Sequence, residues 1–370
     1  MLISAREMLW GIRQMKIEIF PFDTLFFRDG RPFTMGEESG AAGIFPPPPS
    51  VFYGALRTAY FAEHSEDLDK ANTSDDPTKN LEIKGIFYKY GNSFYFPMPL
   101  DCVKEKRGNQ SKVFLMSRSA KPVSSVSTEQ VLRPLENTEV ENIDSGLFND
   151  LTLQKYLQSE SNEFNYLDPC PKLIMSEPKT GIGRDNATHS VKEGMLYSIE
   201  MKRMVNLSFV VDFEGLELPG KGFIKLGGEK KAACYHILSQ PGPLLKFHDN
   251  FLEPLKRFKI YFATPAVFEK GWIPSWIDDS TLIGKIPNTN IEVRLIAAAV
   301  GKPISIGGFD IKLRMPKPMR KVVPAGSVYY FEIQGNSFSK SDLGKIHGKS
   351  ISEYETAKQG FGICYVVGVK

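Results

Sequence analysis

The chain has 370 residues, of which 42% are hydrophobic and 24% charged, a composition that excludes a disordered protein and allows two domains of common size. Forty-six basic residues against 43 acidic ones leave a net charge of only +3. This balance excludes a bulk polycation, so any nucleic-acid surface must be built from local patches.

Cysteine and histidine usage gives no sign of a metal site. The four cysteines are scattered and form no Cys-x-x-Cys pair, and none of the five histidines stands at ligand spacing from them, so we expect no metal and no cofactor. The pattern is typical of a reducing cytoplasm, and the longest late apolar run, residues 295–300, is too short to span a membrane. Residues 1–14 lack the apolar core of a signal peptide, and we interpret them as a short N-terminal extension.

The first predicted elements are a strand, a turn and a helix. Residues 16–22 read as a strand, and the Asp-Gly pair within residues 26–33 marks a tight hairpin turn. A run of prolines at 46–49 precedes Ser50, which we expect to be the N-cap of a helix. Apolar residues at i, i+3, i+4, i+7 and i+8 from Phe52 form the stripe of an amphipathic helix.

The middle of the chain alternates between clear and weak patterns. Residues 66–79 are polar and read as a loop, and residues 83–90 and 93–97 read as a strand pair around Gly91-Asn92. Charged and hydroxylated residues then dominate a long stretch, about 102–178, which we interpret as an insertion with weak order. Strands return at residues 195–204, 207–213 and 222–226.

A second module follows an interdomain bend at residues 240–243. The patterns predict strands at residues 258–263, 291–300, 303–313, 328–333 and 361–369, with a short helix within 345–358. Both halves mix antiparallel strands with few helices, which predicts an α+β fold in the β-α-β-β-α-β style. We place the first domain at residues 15–248, with the insertion inside it, and the second at 249–370.

The most informative motif for function is the turn at residues 26–33. It sets Arg28 and Arg31 at the lip of a sheet with phenylalanines nearby, and rigid cations beside flat rings suit a single-stranded nucleic acid. An ordinary hairpin with solvated arginines is the alternative.

Three further segments are candidates for binding phosphates. Residues 312–321 carry five cations and no acid, Lys317 and Arg320 among them, and their two prolines favour an exposed loop. Gly227, Gly228, Lys230 and Lys231 form a turn in which glycine permits close backbone approach and lysine supplies charge. Residues 179–192 form a polar segment with glycines, Arg184 and His189. The alternatives are a solvated loop, a simple hairpin turn and a mobile loop without a ligand.

Seven motifs, taken together and in this order, resemble those of a known family. They are residues 27–33, 47–57, 180–185, 193–197, 226–229, 323–328 and 360–362. The chain resembles the third subunit of the Cmr complex, the type III-B CRISPR–Cas effector, within the RAMP superfamily. The resemblance runs from residue 16 to the C-terminus with a gap over 102–178, and the equivalent type III-A subunit shares the fold.

The resemblance implies two ferredoxin-like, RRM-like domains with glycine-rich loops and a non-catalytic role in antiviral defence. Such a subunit holds the 5′ tag of the CRISPR RNA and docks the large cyclase-like signalling subunit and the backbone RAMP subunits. Carried over by motif, the expected RNA contacts are Arg28, Arg31, Arg184, Gly227, Gly228, Lys230 and Lys231, with Lys317 and Arg320 as further candidates.

Two other functions stay open from the sequence. A CRISPR-RNA-processing, metal-independent endoribonuclease of the same superfamily would use a histidine as general base, and His64, just after the first helix, is the best candidate. A solvated histidine at a helix end is the simpler interpretation of that residue. The third possibility is a protein-interaction scaffold that does not touch RNA.

Overall fold

Strands dominate the architecture. The computed structural model describes residues 14–28, 40–41, 43–107, 111–120, 128–134, 138–184, 188, 190–228, 231–248, 256–310, 315–335 and 340–369. Within these ranges the helices are α1 (Pro49–Glu63), α2 (Asp150–Leu157) and α3 (Lys340–Gly344), with two short 3₁₀ segments at Ser65–Lys70 and Tyr354–Thr356. Almost all strand pairs are antiparallel, which confirms the predicted α+β class.

The strands fall into several sheets and ribbons. The strands up to residue 184 are β1 (Met15–Pro21), β2 (Gly40–Ala41), β3 (Glu82–Tyr90), β4 (Ser93–Pro97), β5 (Cys102–Glu105), β6 (Lys112–Leu115), β7 (Ser117–Ala120), β8 (Gln130–Arg133), β9 (Val140–Glu141), β10 (Leu147–Asn149), β11 (Glu163–Asn165) and β12 (Ile174–Arg184). The later strands are β13 (Val191–Met204), β14 (Leu207–Glu214), β15 (Lys221–Lys225), β16 (Ala232–Ile237), β17 (Arg257–Phe262), β18 (Ile283–Lys285), β19 (Glu292–Ala299), β20 (Ile304–Asp310), β21 (Met315–Val322), β22 (Val328–Ile333), β23 (Lys349–Ser350) and β24 (Ile363–Gly368).

The first large sheet has seven strands in the order β10-β4-β3-β14-β1-β16-β15. One of its faces is covered by α1, whose Phe52 ring stands 5.1 Å from that of Phe209 on β14. The helix begins at Pro49 with Pro48 as its N-cap, so the prediction of Ser50 as the N-cap was wrong. Proline fits the first helical position because the amide hydrogen that it lacks would have no partner there.

The second large sheet has six strands in the order β18-β19-β22-β17-β24-β23. Its central neighbours, β19-β22-β17-β24, are the second, third, first and fourth of these four strands along the chain, as are β3-β14-β1-β16 in the first sheet. The helix expected within 345–358 is reduced to the short 3₁₀ segment Tyr354–Thr356. The chain instead turns at Gly348, where φ is +71°, and forms β23 against β24, because pairing with a distant strand overrides the local helical pattern.

The stretch from 102 to 178 is more ordered than the sequence predicts. It contributes seven strands, β5 to β11, together with α2, and it buries Val113, Tyr156 and Phe164. Its apolar residues are too sparse to reveal a period within any short element. They are buried because they pack against the second sheet, as the 6.2 Å separation of the Tyr156 and Tyr261 rings shows.

A buried ion pair lies where this insertion meets the second sheet. The Lys259 Nζ atom donates to Asp101 Oδ2 at 2.7 Å, and both side chains are at least 98% buried, with exposures of 2% and 0%. The hydroxyls of Tyr156 and Tyr330 also donate to this carboxylate, at 2.9 and 2.6 Å. Burial, reinforced by Asp101, raises the pKa of both tyrosines.

We predict that Lys259→Met destabilises the protein by about 3–5 kcal/mol, because it leaves the Asp101 charge buried without its cation. The double variant Asp101→Asn/Lys259→Met removes both charges and should lose less stability than the single one. Lys270→Met is the control, since it breaks an exposed pair with Asp279, worth about 0–1 kcal/mol. Denaturant unfolding measures all three, and a Lys259→Met loss no larger than that of Lys270→Met would contradict the prediction.

The buried tyrosines lead to a second prediction, which concerns the stability of the protein at alkaline pH. Burial raises the pKa of Tyr88, Tyr156, Tyr261, Tyr329, Tyr330 and Tyr365. Unfolding therefore releases their protons once the pH exceeds the unfolded pKa of about 10, so the stability present below that pH is lost as the pH rises. Each tyrosine lowers the free energy of unfolding by about 1.4 kcal/mol per pH unit. Denaturant unfolding between pH 8 and 11.5 tests this, and a flat profile would refute it.

Candidate nucleic-acid interface

The backbone from Leu25 to Arg28 is held on three sides by distant parts of the chain. Leu25 and Lys202 exchange two backbone hydrogen bonds, at 2.7 and 2.8 Å. Ile44 donates to the Phe27 carbonyl at 2.7 Å, and Gly228 donates to that of Phe26 at 3.0 Å. The exposed Arg28 follows directly and bridges to Gly43, so its backbone position is fixed by these contacts.

The phenylalanines before Arg28 do not form the expected stacking surface. Phe26 is 8% exposed and Phe27 4%. The Phe27 ring faces Phe45 at 6.3 Å, and Phe26 packs with Ile199 and Met201 of β13. The two rings therefore stabilise residues 25–28, which we call the foot of the interface. Of these four residues only Arg28 is exposed. Arg31 lies outside the described residues.

The turn between β15 and β16 packs directly on this segment. Gly227 has a φ of +86°, and a Cβ atom there would lie 2.8 Å from the Phe26 carbonyl oxygen and from the Phe27 ring. A side chain at Gly227 is excluded by the chain's own backbone, whereas a Cβ at Gly228 would meet nothing closer than 3.6 Å. Gly228 is exposed, and of the two it is the one open to a ligand.

Lys231 is engaged by an acid of the same chain. Its Nζ atom lies 2.8 Å from Asp23 Oδ2 and 3.3 Å from Thr24 Oγ1. The hydrogen bond from Lys231 is the main cause that lowers the pKa of Asp23 to about 2. Arg203 also binds Asp23, at 3.0 Å, and pairs with Glu177. A phosphate would therefore have to compete with Asp23 for Lys231, and Lys230 lies outside the described residues.

A long ribbon, formed by β12 and β13, rises from this foot. Arg184 pairs with Val191 near the end of the ribbon. Val191 lies eight residues before Ile199, the residue that pairs with Ala41, which corresponds to about 26 Å at the usual rise of a strand. The ribbon thus joins Arg184 to Arg28 through one element but separates them widely. His189 lies outside the described residues.

Lys317 and Arg320 belong to a different ribbon, formed by β20 and β21. They stand opposite Gly308 and Ile306, and both are exposed. The expectation of a loop here was wrong, since β21 covers Met315–Val322. Pro316 stands opposite Phe309, and Pro318 lies where the register shifts between Lys317 and Arg320. A two-stranded ribbon and a strand irregularity both tolerate proline. The described contacts do not bring this ribbon to Arg28.

His64 lies at the C-terminal end of α1 among acids. Its Nδ1 atom is 3.6 Å from Glu66 Oε1, and its ring lies 4.5 Å from that of Tyr60. The nearby Arg57 is bonded to Asp76 at 2.6 Å, and Lys70 to Asp67 at 2.7 Å. Among the described contacts, the charged group beside this imidazole is thus the Glu66 carboxylate, not a cation.

The described parts of the chain offer neither a candidate metal centre nor a helix that could cross a membrane. No group of three or more His, Cys, Asp and Glu side chains there is arranged to hold a metal ion. No helix in those parts has the length and apolar character needed to cross a membrane.

Sequence reasoning missed one surface next to the glycine turn. Lys221, Phe223 and Lys225 alternate along β15, and all three are exposed. The period-2 alternation was a usable signal. It was missed because β16, which fixes β15 as the last strand of the sheet, was not predicted.

Comparisons with known proteins agree on a CRISPR-associated family. The profile described as CRISPR-associated protein (Cas_Cmr3) matches residues 17–368. No protein with a curated description matches the sequence.

Among solved structures, a chain of the type III-B Cmr-beta complex bound to cognate target RNA is similar. It has 17% identity and a TM-score of 0.50, over 85% of this chain and 86% of that one. A chain of the same complex with target RNA and AMPPnP has 16% identity and a TM-score of 0.49, over 90% and 88%. At these identities the likeness concerns the fold. Because the family profile spans nearly the whole sequence, the expected kinship with the Cmr proteins is confirmed, and the chain belongs to the Cas_Cmr3 family of CRISPR-associated proteins.

Proposed function

We propose that this chain is a non-catalytic RNA-binding subunit of a type III-B CRISPR effector complex in the cytoplasm. In this role it anchors the 5′ tag of the CRISPR RNA and docks the large cyclase-like subunit and the backbone RAMP subunits. The observation that carries the proposal is the clamped segment that ends at the exposed Arg28, held between the Gly227-Gly228 turn and the β12–β13 ribbon. Family membership and a similar fold in a complex bound to RNA support RNA as the ligand.

The proposal includes two ferredoxin-like units, at residues 15–248 and 249–370. Its support is the strand order that the two large sheets share, with the first strand between the third and the fourth. A helix follows the first strand in one unit, α1, and the third strand in the other, α3. In this scheme the insertion at about residues 102–178 lies between β3 and β14, the second and third strands of the first unit.

We assign different roles to the candidate contacts. Arg28, Arg31 and Arg184 neutralise phosphates along the foot and ribbon, and Lys230 adds charge at the turn. Gly227 allows the turn to pack, while Gly228 leaves room for a strand of RNA, and Lys231 holds the turn through Asp23. Lys317 and Arg320 lie on the β20–β21 ribbon. There they contact the CRISPR RNA or RNA that is held by a partner subunit.

The non-catalytic role is supported by the surroundings of His64. General-base attack by a 2′-hydroxyl needs a cation that stabilises the charge developing on the phosphate. Near His64, Arg57 and Lys70 are each bonded to an aspartate. We therefore propose that repeat RNA incubated with this chain stays intact.

The principal test is the double variant Arg28→Ala/Arg184→Ala. We expect the Kd for a tag-containing single-stranded RNA to rise at least about tenfold, because two phosphate contacts are lost. The slope of log K against log salt should become shallower by about 1.4, at about 0.7 per contact on a single strand. Fluorescence anisotropy at several salt concentrations, on the chain alone and in its complex, measures both.

Lys285→Ala is the control for that test, because it removes an exposed lysine of β18 in the second sheet. Its Kd and salt slope should equal those of the unmodified chain. If the double arginine variant also keeps both values, the proposed RNA-binding role of this interface is wrong.

Two glycine variants separate packing from RNA contact. Gly227→Ala should destabilise the chain by about 1–3 kcal/mol, because it strains the positive φ and presses on the Phe26 carbonyl. Gly228→Ala should change stability by less than about 0.5 kcal/mol, since its methyl group makes only ordinary van der Waals contact with Phe26, but should weaken RNA binding. Thermal unfolding and anisotropy check both variants. A stable Gly227→Ala, or a Gly228→Ala with unchanged Kd, would contradict the corresponding role.

A further inference from the structure

The first sheet has one face that is only partly covered. Its α1 face is largely buried, and on the opposite face Phe87, Phe94 and Val210 pack against the second sheet. Those three residues lie on β3, β4 and β14. From β1 toward the edge strand β15 the same face becomes exposed: Phe20 is half-buried, whereas Phe22 and Phe223 are 58% and 74% exposed.

Aromatic side chains line up across these three strands. Opposite residues of an antiparallel pair share a face, so Phe20, Cys234 and Phe223 form one row, and Glu18, His236 and Lys221 form the next. The ring of Phe22 lies 5.8 Å from that of Phe223. The rings of Phe20 and His236 stack at 5.2 Å with 20° between their planes. We call Phe20, Phe22, Phe223 and His236 the aromatic face.

The charges around the aromatic face are positive. Lys221 and Lys225 flank Phe223 on the same side of β15, and neither forms an ion pair with a described residue. The two acids beside the face already have basic partners in this chain. Glu18 lies 3.1 Å from Lys89 and 3.5 Å from His236, and Asp23 is held by Lys231 and Arg203.

The aromatic face adjoins the candidate interface. The turn that contains Gly227 and Gly228 connects β15 to β16, and Phe22 precedes Asp23, the acid that anchors the turn through Lys231. A strand of RNA that passes Gly228 therefore meets Lys225 and then Phe223 without leaving the surface.

We propose that the aromatic face binds unpaired bases of RNA by stacking on Phe22 and Phe223, while Lys221 and Lys225 neutralise the adjacent phosphates. The proposal rests on the proposed RNA-binding function and extends it to a second, adjacent subsite. Exposed rings alone also suit a protein partner. Lysines on both sides of a ring, next to acids that are already paired, favour an anionic strand with flat bases.

The test separates ring stacking from apolar contact. Phe22→Leu/Phe223→Leu keeps apolar side chains but removes the flat rings, and Phe22→Trp/Phe223→Trp keeps and enlarges them. Stacking contributes roughly 5- to 150-fold in Kd per base, so we expect the leucine variant to bind fluorescein-labelled tag RNA at least about fivefold more weakly. The tryptophan variant should bind as well as the unmodified chain or better, with its fluorescence quenched by RNA.

A lysine variant tests the electrostatic part, since Lys221→Ala/Lys225→Ala should flatten the salt slope by about 1.4. All three variants alter exposed side chains, and unchanged thermal unfolding confirms that each is folded. Unchanged RNA affinity in the leucine variant, with binding still lost in Arg28→Ala/Arg184→Ala, overturns this inference and leaves the proposed function standing. If no variant alters RNA binding, both fall.

A protein-docking surface is the remaining outcome, and it too would overturn the inference. In that case Phe22→Ser/Phe223→Ser fails to assemble with the other Cmr subunits, while the leucine variant assembles and binds RNA as the unmodified chain does.

Discussion

The packing of the insertion against the second sheet depends on one buried carboxylate, that of Asp101. Three of its partners come from separate parts of the chain: Lys259 from β17, Tyr330 from β22, and Tyr156 from α2 in the insertion that begins beside Asp101 itself. A charge removed from water at this depth is stable only when its cation and hydroxyl donors are all in place. The site is therefore satisfied in one arrangement of sheet, helix and insertion, which fixes the surfaces that these elements present.

Ion pairs within the chain also determine which cations are available to a ligand. Asp23 binds both Lys231 and Arg203, and Arg203 also binds Glu177. These pairs link the β15–β16 turn to the β12–β13 ribbon. They hold the interface in shape, but they also engage the positive charges of Lys231 and Arg203, which are then less available to a ligand. Lys221 and Lys225 on β15 stand outside this network of described ion pairs. A chain with a net charge of only +3 can still present a positive surface, because its acids are paired with cations in some regions and leave lysines unpaired by described residues in others.

Local patterns predicted the elements that depend on local physics. The strand at β1, the β3–β4 pair and the apolar stripe of α1 all follow from periodicity and turn residues. Long-range contacts set the rest. The ion pair of Lys231 joins residues 208 positions apart, and the burial of Phe26 depends on Ile199 and Met201. A single sequence does not reveal which distant residues pair. The motifs could therefore be located, whereas the accessibility of their side chains to a ligand could not be predicted.

The position of β15 at the edge of its sheet explains why lysines accompany the aromatic face. An edge strand with exposed apolar residues invites pairing with other chains, and lysines on such a strand discourage it. Lys221 and Lys225 flank Phe223 on this edge, so they oppose self-association while leaving the ring accessible. A polyanion reverses that effect, because its phosphates remove the repulsion and its bases cover the rings. The residues that protect the edge in the free chain are thus the ones that would attract RNA to it.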